Sequence, residues 1–141
     1  MSDDRGRFAR PEEVQGYWQL VPMSAELQAK NTRNPYPLPY QYFAFYADGS
    51  MVVHMSTHKT THTAQSLDRL KGMLPAVQSY SFAGGFLVIR HKELKEPERW
   101  AVNIFTTSFQ SAGTSFQKGD ILMSLDDGAG NPVYRRLLRR I

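Results

Sequence analysis

The chain has no cysteine among its 141 residues. Disulfides, thiolate metal sites and cysteine nucleophiles are therefore excluded, and packing must hold the fold. Long apolar runs are missing too. No stretch approaches the roughly 18 residues that a membrane-spanning helix needs, so no membrane span is expected. The first twelve residues, MSDDRGRFARPE, mix acids and arginines without an apolar segment. No secretory signal is read there, and the expected location is the cytoplasm. A serine-centred nucleophile elbow, a zincin motif and an acidic pair at a recognisable separation are also lacking.

Excess charge is nearly absent as well. The formal net charge is +4, and Arg135, Arg136, Arg139 and Arg140 account for all of it. Such a run reads as the solvated end of a strand. Elsewhere no basic stripe is interleaved with stacking aromatics, so no nucleic-acid partner is expected.

What is present is an ordinary globular composition, 41% hydrophobic and 21% charged, at a size suited to one domain with its own core. Residues 1–12 read as a flexible lead-in and residues 13–141 as the domain. PEEVQ suits a single helical turn with Pro11 at its first position. GYWQLV then alternates, with Gly16, Trp18 and Leu20 on the face expected inside and Tyr17, Gln19 and Val21 on the other. Prolines at 22, 35, 37 and 39 mark a long connection, expected to lie over one mouth of a barrel.

From Tyr40 to Thr57 the pattern is a hairpin turning at Asp48-Gly49. Both faces of its first strand carry apolar bulk, so its inner face stays open between the Phe43, Phe45 set and the Tyr42, Tyr46 set. Thr63 or Ser66 caps a short helix with Leu67, Leu70 and Leu74 at helical spacing and Pro75 ending it. A second hairpin turns at Gly84-Gly85. A strand holding Trp100, Val102 and Ile104 on one face follows, then a strand from about Phe116 to Leu125 and a final one over VYRRLLRRI. The count predicts an all-β chain: an eight-stranded antiparallel up-and-down barrel with a short helix between strands three and four.

Gly16-x-Trp18 after a helical turn, this strand order and an arginine-bearing last strand together resemble the lipocalin-like (calycin) β-barrel family, in its bacterial lipocalin-like form. The resemblance implies that Trp18 closes the base of the barrel, with Gly16 beside it and Arg135 or Arg136 lying over the indole as a cation–π partner. It implies binding of a small apolar or amphipathic molecule inside the barrel, with no cofactor. The Thr-Asp-Tyr signature of secreted lipocalins is not present.

Candidate lining residues are Tyr42, Phe43, Phe45, Tyr46, Met55, Phe82, Ile89 and Phe105, with His54, Arg90 and Asn103 as polar groups. A barrel enzyme of isomerase, cyclase or hydrolase type is the alternative, using a buried His54, Tyr42 or Tyr46 as general acid or base. A third reading is an interaction module with a filled barrel, in which an aromatic face from Tyr36 to Tyr46 serves a homodimer. His54, His58 and His62 are spaced by four. On a helix that spacing would suggest zinc, but strand followed by loop does not hold them on one face, so no metal site is expected. Haem would need His54 or His91 as axial ligand, and the strand count falls short of that architecture.

Overall fold

The computed structural model describes residues 5–31, 37–73 and 78–141. It is a nearly closed eight-stranded antiparallel barrel, with helices and three further short strands outside that circuit. The chain opens with β1 (Gly6–Phe8), the turn of helix α1 (Pro11–Val14) and β2 (Gly16–Val21). After α2 (Ala25–Gln28) come β3 (Tyr40–Phe45) and β4 (Met51–Ser56), then helix α3 (Ala64–Met73). The second half runs through β5 (Gln78–Ala83), β6 (Phe86–His91) and β7 (Glu98–Phe105). A small hairpin, β8 (Phe109–Ser111) and β9 (Thr114–Phe116), precedes β10 (Ile121–Asp126) and β11 (Pro132–Arg140).

Strand order around the barrel is β4-β3-β2-β11-β10-β7-β6-β5. Each strand pairs with its neighbour in sequence, and the last strand of the circuit returns to the first, which is the up-and-down pattern. Closure between β4 and β5 is thin. Among the described residues it comprises the bridge between Ser50 and Ser79, a bond from Tyr80 N–H to the Gly49 carbonyl at 2.9 Å, and the Tyr80 hydroxyl on the Tyr46 carbonyl.

Two expectations need correcting. Residues 6–8 form β1, which pairs with β7 at Gly6↔Phe105, Arg7↔Ile104 and Phe8↔Asn103. The neighbouring β6 reaches only Glu98 to Trp100 of that edge, and β1 takes the hydrogen-bonding positions further along it. This additional strand shifts the count, so the helix α3 falls between β4 and β5. The strand expected from Phe116 is likewise shorter, since Phe116 belongs to the outer hairpin and β10 begins at Ile121.

The expected turns are present. Gly49 and the Gly84-Gly85 pair take positive φ, 90°, 59° and 84°, the conformations that favour glycine in tight hairpins. Helix α3 starts with a reciprocal cap: Thr63 Oγ1 accepts the Ser66 N–H at 3.2 Å and Ser66 Oγ accepts the Thr63 N–H at 2.8 Å. Its expected end at Leu74 and Pro75 lies outside the described residues.

The inside of the barrel is an apolar cluster that includes Trp18, Phe43, Phe45, Ile89, Trp100 and Met123. Two satellite clusters cover the outside. Leu67 and Leu70 of α3 pack on Tyr42, Ala44 and Val52. Phe109 and Phe116 of the hairpin, with Leu27 of α2, pack on Phe105, Leu122 and Leu137. Several strands are therefore buried on both faces, which is why β3 shows no clean alternation in sequence.

Candidate functional site

Strand β11 supplies the polar framework of the barrel through its four arginines. Pairing of Arg140 with Trp18, Leu138 with Leu20 and Arg136 with Met123 fixes which residues share the inner face. Arg136 and Arg140 point inward, and Arg135 and Arg139 outward. Arg139 grips the buried Asp120, with Nε 3.0 Å from Oδ1 and Nη2 2.9 Å from Oδ2, in the fork geometry suited to a carboxylate. The run is not a solvated strand end.

At the closed end Trp18 is fully buried and its Nε1–H donates to the Val14 carbonyl at 2.9 Å. Arg140, rather than Arg135 or Arg136, lies over its ring with the guanidinium carbon 4.2 Å from the centroid. Arg140 also donates to the Gln15 carbonyl at 3.0 Å and the Glu13 carbonyl at 2.7 Å, tying β11 to the end of α1. Gly16 makes this possible. A Cβ there would stand 2.5 Å from Arg140 Nη1, on a backbone with φ of 125°.

At the opposite end the barrel opens into a cleft of about 370 Å³ lined by Leu20, Leu38, Gln41, Tyr134 and Arg136, among others. That is near the lower limit of small-molecule sites. Arg136 is 2% exposed. Its guanidinium carbon sits 4.5 Å from the Trp100 ring centroid, 4.7 Å from Phe43 and 5.5 Å from Tyr134. Stacking of this kind is worth up to about 2 kcal/mol per ring when the cation is desolvated. Arginine cannot shed its proton, so the positive charge persists there.

The rim is held by ordinary main-chain satisfaction. Pairing of β11 with β2 stops at Leu137↔Val21, and the side chain of Asn31 continues it by accepting the Arg135 N–H at 3.0 Å. Gln41 Nε2 donates to the Leu38 carbonyl at 2.9 Å, seating the Pro37–Pro39 stretch against the mouth.

The candidate lining residues divide by face. Phe43, Phe45 and Ile89 are in the inner cluster, with Met55 and Phe82 packed against it. Tyr42, Tyr46 and His54 do not line the interior, because alternation from Phe43 and Val53 puts them outside with α3. Phe105 belongs to the outer cluster with Phe116, and Asn103 lines an outer cleft with Leu27 and Arg135. Arg90 is exposed. The polar candidates for catalysis therefore do not gather inside the barrel. The Tyr42 and Tyr46 part of the supposed aromatic face is covered by α3, and Tyr36 lies outside the described residues.

The outer tyrosines anchor the helix. Tyr46 and Tyr17 hydroxyls donate to Asp68 at 2.6 and 2.9 Å. Those bonds hold the Asp68 carboxyl below the usual carboxylate range. Burial, then the Asp68 bond, pushes the Tyr46 phenol up.

Sequence reasoning missed Arg140, because only the register of β11 against β2 selects it from four arginines. It also missed Gln41, whose place opposite Met55 near the mouth follows from the inner-face assignment of β3. Among the described residues no helix is long and apolar enough to cross a membrane. Comparison with protein-family models, curated proteins and solved structures finds no match to this chain.

Proposed function

We propose that this chain is a small-molecule binding barrel of the lipocalin-like kind, taking an amphipathic ligand at its open mouth. The observation that carries this is Arg136, a permanently charged group buried among three aromatic rings at a cleft of about 370 Å³. An anionic or strongly dipolar end of the ligand faces the guanidinium, and an apolar portion lies along Leu20 and Leu38. Covering ~300 Å² of apolar ligand surface supplies roughly 7 kcal/mol before the cost of immobilisation.

Paired fluorescent probes test the reading: anilinonaphthalene sulfonate, which is apolar and anionic, and the neutral phenylnaphthylamine. Tighter saturable binding of the sulfonate, lost in Arg136→Met and kept in Arg136→Lys, is the expected result. Equal binding of the two probes, or binding indifferent to Arg136, removes the reading.

The packed lower barrel supports a second reading, an interaction module filled by its own side chains. Absence of saturable binding by either probe would favour it. The enzyme alternative loses support, since its candidate residues stand on outer faces.

A further inference from the structure

Outside the barrel a pair of imidazoles is held in an arrangement that the mouth does not use. His54 comes from β4 and His62 from the segment entering α3. Their rings meet edge to face with centroids 4.8 Å apart, and His62 Nε2 is 3.1 Å from His54 Nδ1. Tyr42 packs edge-on against His62, with ring centroids 4.9 Å apart, and its hydroxyl fastens the Thr60 carbonyl at 2.7 Å. Both histidines are partly exposed, so the pair is reachable from solvent.

A serine orients one of the rings. His62 Nδ1 is 2.9 Å from Ser66 Oγ. Ser66 Oγ accepts the Thr63 N–H and lies 3.0 Å from the Thr63 carbonyl. With the serine proton on that carbonyl, Oγ accepts from His62 Nδ1, and this tautomer of neutral His62 presents a lone pair at Nε2 toward His54. A hydrogen-bonded outer partner that fixes the tautomer is the device by which proteins orient a histidine metal ligand. The spacing fits as well. With metal–nitrogen bonds of about 2.0–2.1 Å, two nitrogens 3.1 Å apart subtend roughly 100° at a shared cation.

We propose that His54 Nδ1 and His62 Nε2 form a site for a divalent cation of the zinc, nickel or copper type, on the outer face of the barrel. Coordination replaces the hydrogen bond: both rings turn by roughly 40° to bring the two nitrogens onto a common point, and the proton held between them passes to the outer nitrogen of His54 or to solvent. Imidazole donors select these cations over magnesium and calcium. Among the described residues no group of three or more histidine, aspartate or glutamate side chains converges. The site therefore offers two protein ligands and leaves its other positions to water or to a donor from another molecule. Its structural effect is to cross-link β4 to the start of α3, closing the loop through His58. It is independent of the mouth and of what binds there.

The test uses the untagged full chain freed of metal, titrated with zinc chloride alone and followed by calorimetry and by NMR of the histidine ring nitrogens. One equivalent is expected, with the resonances of His54 Nδ1 and His62 Nε2 moving and those of His58 and His91 unmoved. His54→Ala and His62→Ala should each lose the saturable heat, His91→Ala should keep it, and Ser66→Ala should weaken it by about tenfold. The proposal is overturned if the heat survives both single substitutions. It is equally overturned if, in the unsubstituted chain, the signal of a proton shared between His54 and His62 persists at saturating zinc. That second readout does not depend on any variant folding.

Discussion

The two ends of the barrel are each built on an inward-facing arginine of β11, four residues apart, and their surroundings differ. Arg140 lies over a single ring and spends its donors on two main-chain carbonyls of the segment before β2. Arg136 is enclosed by the rings of Phe43, Trp100 and Tyr134 beside open space. One guanidinium bonds the last strand to the segment before β2. The other sits among three rings at the edge of the cleft. The same residue type on the same face thus ties strands together at one end and stacks among aromatic rings beside a cleft at the other, and neighbours decide which.

The comparison can be broken by substitution. Trp18→Ala should have the largest effect, a loss of ~3–5 kcal/mol read from urea unfolding, since it empties the floor of the core. Arg140→Met should cost about 2–3 kcal/mol by removing the cation–π contact with Trp18 and two hydrogen bonds from a charged donor. Arg136→Met should cost less, about 1–2 kcal/mol, because the lost cation–π contacts with three rings are partly offset by removal of a buried charge while the methionine keeps the apolar packing. Equal losses from the two methionine variants would erase the distinction between the ends. Gly16→Ala should cost roughly 1–3 kcal/mol through its positive φ, and should combine with Arg140→Met less than additively, because removing the guanidinium removes the clash.

Smaller effects sharpen the picture through pH. Burial, with His54 adding, holds the His62 imidazole below the usual histidine range. The unfolded chain therefore binds the proton more readily. Stability contributed by neutral His62 is present above about pH 6.5 and is lost as pH falls through its lower folded value. Unfolding midpoints of the metal-free chain should decline with acidification, and His62→Gln should flatten that decline. A slope unchanged by the substitution would deny His62 its part. Smallest is Glu13, held at about 2 by its bonds from Arg7 and from the Arg10 main chain. Its contribution is present above the usual carboxylate range and fades as pH falls toward 2, so Glu13→Gln should lower stability slightly at neutral pH, and its difference from the parent chain should vanish as pH approaches 2.

Much of the architecture was legible because it is local. Asp48-Gly49 and Gly84-Gly85 mark hairpins by backbone need, Thr63 and Ser66 mark a helix start, and Gly16-x-Trp18 marks the inner face of β2. What was hidden depends on partners far away in sequence. The faces of β3 stayed open because α3 buries the outer one as thoroughly as the core buries the inner. The closing arginine stayed open because it is fixed by the register of β11 on β2, and β10 meets β11 across an irregularity at Leu125 and Asp126. His54 and His62 meet through a loop, which no helical spacing rule describes.

The thin closure between β4 and β5 has a consequence for how the molecule comes apart. Every other neighbouring pair in the circuit is a ladder, whereas this one is a bridge at Ser50 and Ser79 helped by Tyr80. Parting that line breaks few bonds and unrolls the cylinder into an open sheet with both margins freed at once. Deuterium should therefore enter the amides of β4 and β5 well before those of β11. In the unrolled form the two margins remain complementary, so the same line that lets one molecule open would let two molecules close around each other.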